Sequence, residues 1–144
     1  MNLICDVCGR EINPLKDGHV PGIISFDISF DEDGNKYLTN FNIHHKNIDG
    51  HYCDLKFRHV TRWVELGDYI GNIEKWLDLL DPKYSDGKHT TFDVSCMEVM
   101  MRCLVHGYDE ARLYMKDYCR FHHRDQEPTI TAKNCKEILA WAKK

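Results

Sequence analysis

Two cysteines separated by two residues and followed at once by a glycine, Cys5, Cys8 and Gly9, lie close to the start of the sequence. This spacing lets both sulfurs approach one point, and glycine tolerates the positive φ that a tight turn after the second cysteine requires. Tetrahedral zinc sites with four Cys and His ligands use this arrangement, with Zn–S distances near ~2.3 Å. We interpret the pair as half of a structural zinc site, against the alternative of two free thiols.

The other half of the site has to come from later in the chain. Cys53 is the expected third ligand, but position 56, where a second C-x₂-C pair would end, is a lysine. The fourth ligand is therefore expected to be a histidine. His51 lies two residues before Cys53, and side chains two apart on a strand share a face. The predicted ligands are Cys5, Cys8, His51 and Cys53, and the alternatives for the fourth are His44, His45 and His59.

Residues 23–44 predict a β-hairpin that brings the chain back to the first cysteine pair. Residues 23–30 and 37–44 alternate between apolar and polar side chains, which is typical of half-buried strands, and Asp33-Gly34 is a turn signal between them. The pattern places on the buried faces Ile24, Phe26, Ile28, Phe30, Tyr37, Thr39, Phe41 and Ile43. Residues 55–66 fit either a helix or a further strand.

Beyond residue 67 apolar residues recur at three- and four-residue spacing, which predicts helices. The first begins with Asp68 as its N-cap and ends before Pro82. The second, capped by Thr90 or Thr91 and covering residues 92–106, is apolar on most sides, so we expect it at the centre of the helical part or in a homo-oligomer interface. Two more helices are predicted from Asp109 to Phe121 and from Ala132 to Lys143.

These elements predict an α+β protein. Residues 1–60 form a zinc-stapled antiparallel β-ribbon, and residues 61–144 form a bundle of three to four helices packed as one unit with it. The four predicted ligands close the coordination sphere, so the zinc ion is expected to be structural. Because a small ribbon has little core of its own, its folding is expected to depend on the metal.

Charge and cysteine content narrow the class of protein. Residues 1–109 carry 11 Lys and Arg against 18 Asp and Glu, a balance of −7, and residues 110–144 carry 8 against 5, a balance of +3. This distribution disfavours an ordinary nucleic-acid binder, which shows a clear basic excess. No run of 18 apolar residues predicts a membrane span, and no signal-peptide pattern precedes Cys5. Seven cysteines, an odd number, favour a reducing, cytoplasmic location over a disulfide framework.

The knuckle Cys5-x₂-Cys8-Gly9-x-Glu11-Ile12, followed by a hairpin and His51-x-Cys53, resembles the zinc-ribbon or treble-clef-like modules that open many small bacterial and phage proteins. The resemblance covers residues 1–60 and implies a bound zinc ion without implying an activity. Those modules usually close with a second paired ligand, and Lys56 departs from that pattern.

Three functions follow as hypotheses. The first is a non-enzymatic zinc-containing binding or regulatory protein, such as a phage-type inhibitor or adaptor, that contacts another protein through its acidic hairpin or a basic helix face. That face is predicted to carry Arg112, Lys116, Arg120 and Arg124. The second is a metal-dependent nuclease, since His44-His45 and Asn47 resemble the Ile-His-His strand end of HNH nucleases, which implies His45 as the base. The third is a nucleic-acid-binding module that uses helix 110–124.

Overall fold

The computed structural model of the chain describes residues 3–46, 53, 60, 62–81, 87–124, 126 and 131–144. Strands and helices together build the fold, which confirms the predicted α+β class. The strands are β1 (Leu3–Ile4), β2 (Glu11–Ile12), β3 (Gly22–Phe30), β4 (Lys36–His45), β5 (Arg62–Glu65) and β6 (Thr90–Phe92). The helices are α1 (Ile73–Leu80), α2 (Val94–Leu104), α3 (Tyr108–Ala111), α4 (Met115–Phe121) and α5 (Ala132–Ala142), with a 3₁₀ turn at Leu66–Asp68.

The main sheet has four strands in the order β5-β3-β4-β6. β3 and β4 form the predicted antiparallel hairpin, which is confirmed, while β5 pairs antiparallel with β3 and β6 runs parallel to β4. β1 and β2 form a separate two-stranded ladder that contains the cysteine knuckle. Two strands of the main sheet thus come from beyond residue 60, and residues 62–65 of the ambiguous segment are a strand.

A β-bulge interrupts the hairpin. Ser25 lies opposite Asn42 but Asp27 lies opposite Thr39, so β4 carries one residue more than β3 between these pairs. The backbone of Asn40 has a φ of 56°, in the left-handed region that asparagine tolerates better than most residues. One inserted residue reverses the alternation of faces along β4.

The bulge explains why the predicted face of β4 is wrong in its first half. Leu38 is buried and Tyr37 is exposed, whereas Phe41 and Ile43, which follow the bulge, are buried as predicted. Phe41 stacks on Phe26 of β3 with ring centroids 4.7 Å apart. The predicted faces assumed a strict period of two residues, which the inserted residue of the bulge breaks.

On β3 the predicted alternation also fails at two positions. Phe30, at the end of the strand, is 64% exposed, and Ser25 is buried although it was assigned to the polar face. Ser25 is buried because its hydroxyl has a partner inside the protein, the imidazole of His44, with 2.5 Å between Oγ and Nε2.

We expect Asn40→Val to lower the free energy of unfolding by about 1–3 kcal/mol, since a β-branched residue is strained at positive φ. The change also removes the hydrogen bond from the Asn40 side chain to the Asp27 carboxylate, 2.9 Å long. Urea unfolding measures the difference. The control is Asn42→Val, two residues further along the same strand, which removes a 3.1 Å hydrogen bond to the Asn40 carbonyl without placing a β-branched residue at positive φ, and we expect a loss of about 1 kcal/mol or less. Equal effects of the two substitutions would show that the bulge imposes no strain.

The described residues form two hydrophobic cores. The main core joins the sheet, the knuckle ladder, α1 and α2, and it includes Leu3, Ile12, Ile24, Phe26, Leu38, Phe41, Ile43, Leu66, Trp76 and Val99. The second core joins α3, α4 and α5 through Tyr108, Ala111, Met115, Tyr118, Cys135 and Ile138. The main core thus takes residues from both sides of position 60.

The predicted caps of the first two helices are wrong. The N-cap of α1 is Asn72, and that of α2 is Asp93; each side chain accepts a hydrogen bond from the backbone N–H three residues further on. Asp68 belongs to the 3₁₀ turn, and Thr90 begins β6. The helix predicted from Ala132 to Lys143 is present as α5, and Thr131, for which no cap was predicted, is its N-cap. The effect of Pro82 lies outside the described residues.

The second helix is less buried than its composition predicts. Its buried face carries Cys96, Val99, Arg102 and Cys103. Val94, by contrast, is 81% exposed, so the helix is not covered on most sides. A homo-oligomer through residues 92–106 stays a prediction. None of the helices in the described part of the chain has the length and apolarity that crossing a bilayer requires.

Candidate metal centre

The knuckle is a tight turn between β1 and β2. The N–H of Cys5 donates to the carbonyl of Arg10 at 2.9 Å, and the N–H of Gly9 donates to the carbonyl of Cys5 at 3.0 Å. Gly9 has a φ of 73°, the left-handed conformation predicted for it. The turn also aims the N–H of Val7 at the Cys5 sulfur, 3.4 Å away. The backbone therefore holds the sulfur of Cys5 inside the turn.

The end of β4 packs against this knuckle and supplies a histidine. The N–H of Asp6 donates to the carbonyl of Ile43 at 2.8 Å, and the N–H of Ile43 donates to the Asp6 carboxylate at 2.8 Å. His45, two residues after Ile43, therefore lies beside the two cysteines. Its own N–H points at the sulfur of Cys5, at 3.4 Å.

Cys5, Cys8, His45 and Cys53 form one group whose ligand atoms all lie within 4.8 Å of one another. Nδ1 of His45 is 3.4 Å from the sulfur of Cys8 and 3.8 Å from that of Cys53. A tetrahedral zinc ion with ordinary bond lengths separates a nitrogen and a sulfur ligand by about 3.6 Å. The four residues could therefore hold a metal ion.

The second nitrogen of His45 fixes which atom faces the sulfurs. Nε2 lies 3.0 Å from the carbonyl oxygen of Glu11, on β2. A carbonyl only accepts hydrogen bonds, so Nε2 carries the proton and Nδ1 presents a lone pair to the cysteines. Metal-binding histidines commonly use their other ring nitrogen in this way, which sets the tautomer and the ring orientation.

The pKa values of Cys8 and Cys53 are shifted in opposite directions. Burial opposes ionisation of Cys8, but hydrogen bonds from the Arg10 backbone and from the neighbouring thiols, with the charge of Arg10, lower the pKa of Cys8. Burial, with the adjacent Cys5 and Cys8, raises the pKa of Cys53 to about 12. Neighbouring thiolates repel each other in the absence of a cation, and a divalent ion reverses this balance because it deprotonates a coordinating thiol.

The predicted third ligand, Cys53, lies in the group, and so does His45, one of the alternatives for the fourth. His51 and His59 lie outside the described residues, as does Asn47 of the nuclease hypothesis. The choice of His51 rested on its spacing from Cys53. The position of His45 two residues after the core residue Ile43 was the signal in the sequence that favoured it instead.

His44 points away from the group, as a neighbour on a strand must. It is 1% exposed, and its Nδ1 lies 3.1 Å from the backbone carbonyl of His45. Nδ1 therefore donates, and Nε2 accepts from the hydroxyl of Ser25. His44 is a satisfied buried histidine in this arrangement.

A buried ion-pair network ties the knuckle to the helices. Arg102 of α2 donates from one terminal nitrogen to both oxygens of Asp6 at 2.9 Å, and from Nε to Asp109 at 2.5 Å. Its other terminal nitrogen donates to the carbonyl of Ile4 at 2.7 Å, and the N–H of Ile4 donates to Asp109 at 2.6 Å. Burial opposes the charge, but the two carboxylates outweigh it and raise the pKa of Arg102. The helical pattern of residues 92–106 did not predict this network, because its carboxylates lie outside that helix.

The four residues of the predicted basic helix face do not lie on one helix in the structure. A turn at 112–114 separates α3 from α4, so the single helix predicted from Asp109 to Phe121 is wrong. Arg112 donates to Asp109 at 2.7 Å as part of the buried network, whereas Lys116 and Arg120 are exposed on α4. Arg124 follows the end of α4, with its guanidinium 5.6 Å from the ring centre of Tyr118. Binding by these four residues stays a prediction.

No protein-family model, no curated protein and no solved structure matches this chain. The metal-binding interpretation therefore rests on the four side chains and their geometry.

Proposed function

We propose that the chain is a non-enzymatic, zinc-containing binding protein that acts through contacts with another protein in a reducing, cytoplasmic compartment. The observation that carries the proposal is the closed group of three cysteines and one histidine. Three sulfur ligands and one imidazole suit zinc, and four protein ligands leave no position for a substrate or a reactive water. The zinc ion would stabilise the fold, as it does in the zinc-ribbon modules that residues 1–60 resemble.

The geometry favours this proposal over the nuclease hypothesis. A general base has to reach the proton that it removes. His44 is 1% exposed and His45 is 4% exposed, and both rings are engaged by neighbours inside the protein. A phosphodiester in solution would therefore meet neither imidazole. Arg112, the first member of the predicted nucleic-acid-binding face, is engaged by Asp109, which weakens the third hypothesis.

A pair of histidine substitutions tests the ligand set. We expect purified wild-type protein to contain one equivalent of zinc by elemental mass spectrometry, and His51→Ala to retain it. In His45→Ala the zinc affinity should fall by more than the roughly 10–100-fold that loss of an outer-shell partner costs. Competition with a chromophoric chelator measures the affinity. If His45→Ala retains tight zinc binding and His51→Ala loses it, the fourth ligand is His51 and not His45.

Partner capture tests the binding role. Immobilised wild-type protein should retain a specific protein partner in a stoichiometric complex at physiological salt, and Cys53→Ser should not, since the zinc-dependent part of its surface is lost. In a parallel assay with supercoiled DNA and single-stranded RNA, we expect no nuclease activity that depends on His45. Metal-dependent cleavage by the wild-type protein that is lost in His45→Ala would support the nuclease hypothesis and contradict this proposal.

A further inference from the structure

We propose that the groove between α3 and α5 binds an acidic, amphipathic helical segment of a partner protein. This inference rests on the proposed function, which it extends by naming the surface and the chemistry of the partner. The groove has a volume of about 920 Å³. On the α3 side it is lined by His106, Gly107 and Glu110, and on the α5 side by Ala132, Lys133, Lys136, Leu139, Ala140 and Lys143.

The floor of the groove is apolar, and the two helices approach each other closely there because residue 107 is a glycine. A Cβ at Gly107 would lie 3.5 Å from Cβ of Cys135 and from Cδ1 of Leu139, so the α3 end packs directly on α5. Gly107 also has a φ of 82°, which few other residues adopt. Leu139 and Ala140 extend the apolar surface along α5.

The wall of the groove is positively charged. Lys133 and Lys136 on α5 share one face with Lys143, the C-cap of that helix, at helical spacings of three and seven residues. No carboxylate of the described residues lies within ion-pair distance of any of the three. Among the described residues that line the groove, Glu110 is the one that is acidic. Neighbouring like charges on a helix repel each other, and carboxylates on a partner would relieve this repulsion.

The shape and the side chains favour a protein segment over other ligands. The lining residues of α5 run from Ala132 to Lys143, about 16 Å at 1.5 Å per residue, which is the length of about three helical turns. An amphipathic helix laid in a groove uses such a surface. The described lining residues include no arginine and no Phe, Tyr or Trp, so this lining offers neither the forked donors nor the large stacking surfaces that favour nucleic acids.

Fluorescence anisotropy with a defined probe tests the inference. The probe is a labelled synthetic helical peptide of about four turns, with leucines on one face and glutamates on the other. We expect saturable binding that weakens as salt rises. A peptide with lysines in place of the glutamates, and a single-stranded RNA of the same length, should bind at least about tenfold more weakly.

Charge reversal locates the site. The double variant Lys133→Glu/Lys136→Glu should weaken binding of the glutamate peptide at least about tenfold. The control, Lys16→Glu/Lys75→Glu, makes the same change in net charge on exposed lysines of the loop after β2 and of α1 and should stay within about twofold of wild type. Zinc content and oligomeric state are measured on every variant, so loss of peptide binding with zinc retained reports on the groove alone.

Three results would overturn the inference. They are no saturable binding of the glutamate peptide up to about 1 mM, equal losses in the two double variants, and preference for the RNA over the peptide. Self-association that disappears in Lys133→Glu/Lys136→Glu would instead make the groove a contact between copies of this chain. None of these results would alter the zinc measurements, on which the proposed function depends separately.

Discussion

Cys53→Ser is expected to abolish stoichiometric zinc binding and to lower the midpoint of thermal unfolding by about 10 °C or more. Ligand binding to the native state alone contributes about 4 kcal/mol when free zinc is 1,000 times its dissociation constant, and each kcal/mol moves the midpoint of a chain of this size by roughly 2–4 °C. Cys53 is 6% exposed and lies in the main core, so the ion joins the knuckle to the centre of the protein. Elemental analysis and calorimetry measure the two effects.

Chelation of the wild-type protein should reproduce this shift, because it removes the same ion without a change of sequence. The matched control is Cys96→Ser, which makes the same substitution at a fully buried cysteine of the same core. It should lose some stability but keep one equivalent of zinc and its sensitivity to chelator. A Cys53→Ser protein that retains tight zinc, or a wild-type protein whose midpoint is unchanged by chelator, would show that the metal does not support the fold.

The parts of the fold that follow from local chemistry were predictable from the sequence. Gly9 after Cys8 indicates a turn at positive φ, and the alternation around a turn signal indicates the β3–β4 hairpin. Both depend on residues that are neighbours in the chain. The bulge at Asn40 was not predictable, because asparagine occurs in many ordinary positions and the extra residue is visible only in the pairing of two strands.

The composition of the candidate site was predictable only in part. The three cysteines follow from the chemistry of zinc, which few other residue types satisfy. The histidine does not, since four histidines lie between residues 44 and 59 of the sequence and the choice among them depends on how β4 meets the knuckle. The role of Arg102 was not predictable for the same reason. Its carboxylate partners, Asp6 and Asp109, are 96 and 7 residues away in the sequence. The sequence pattern indicated only that Asp6 separates two cysteines and that Asp109 begins a helix.

Arg102→Met is expected to lower the free energy of unfolding by about 3–5 kcal/mol, the usual cost of removing one member of a buried charge network. Asp109 is 1% exposed and would be left with a buried negative charge whose remaining partners among the described residues are Arg112 and the N–H of Ile4. Equilibrium urea unfolding measures the loss. Arg120→Met, which removes an exposed arginine from α4, should change stability by less than roughly 0.5 kcal/mol.

The same variant tests whether the helices and the metal centre act as one unit. Asp6, which lies between the two knuckle cysteines, is held by Arg102 on one side and accepts from the N–H of Ile43 on the other. Loss of Arg102 should therefore weaken zinc binding by about 10–100-fold, as loss of an outer-shell partner does, whereas Arg120→Met should not change it. An Arg102→Met protein that is destabilised but binds zinc as tightly as wild type would show that the network holds the helices in place independently of the metal.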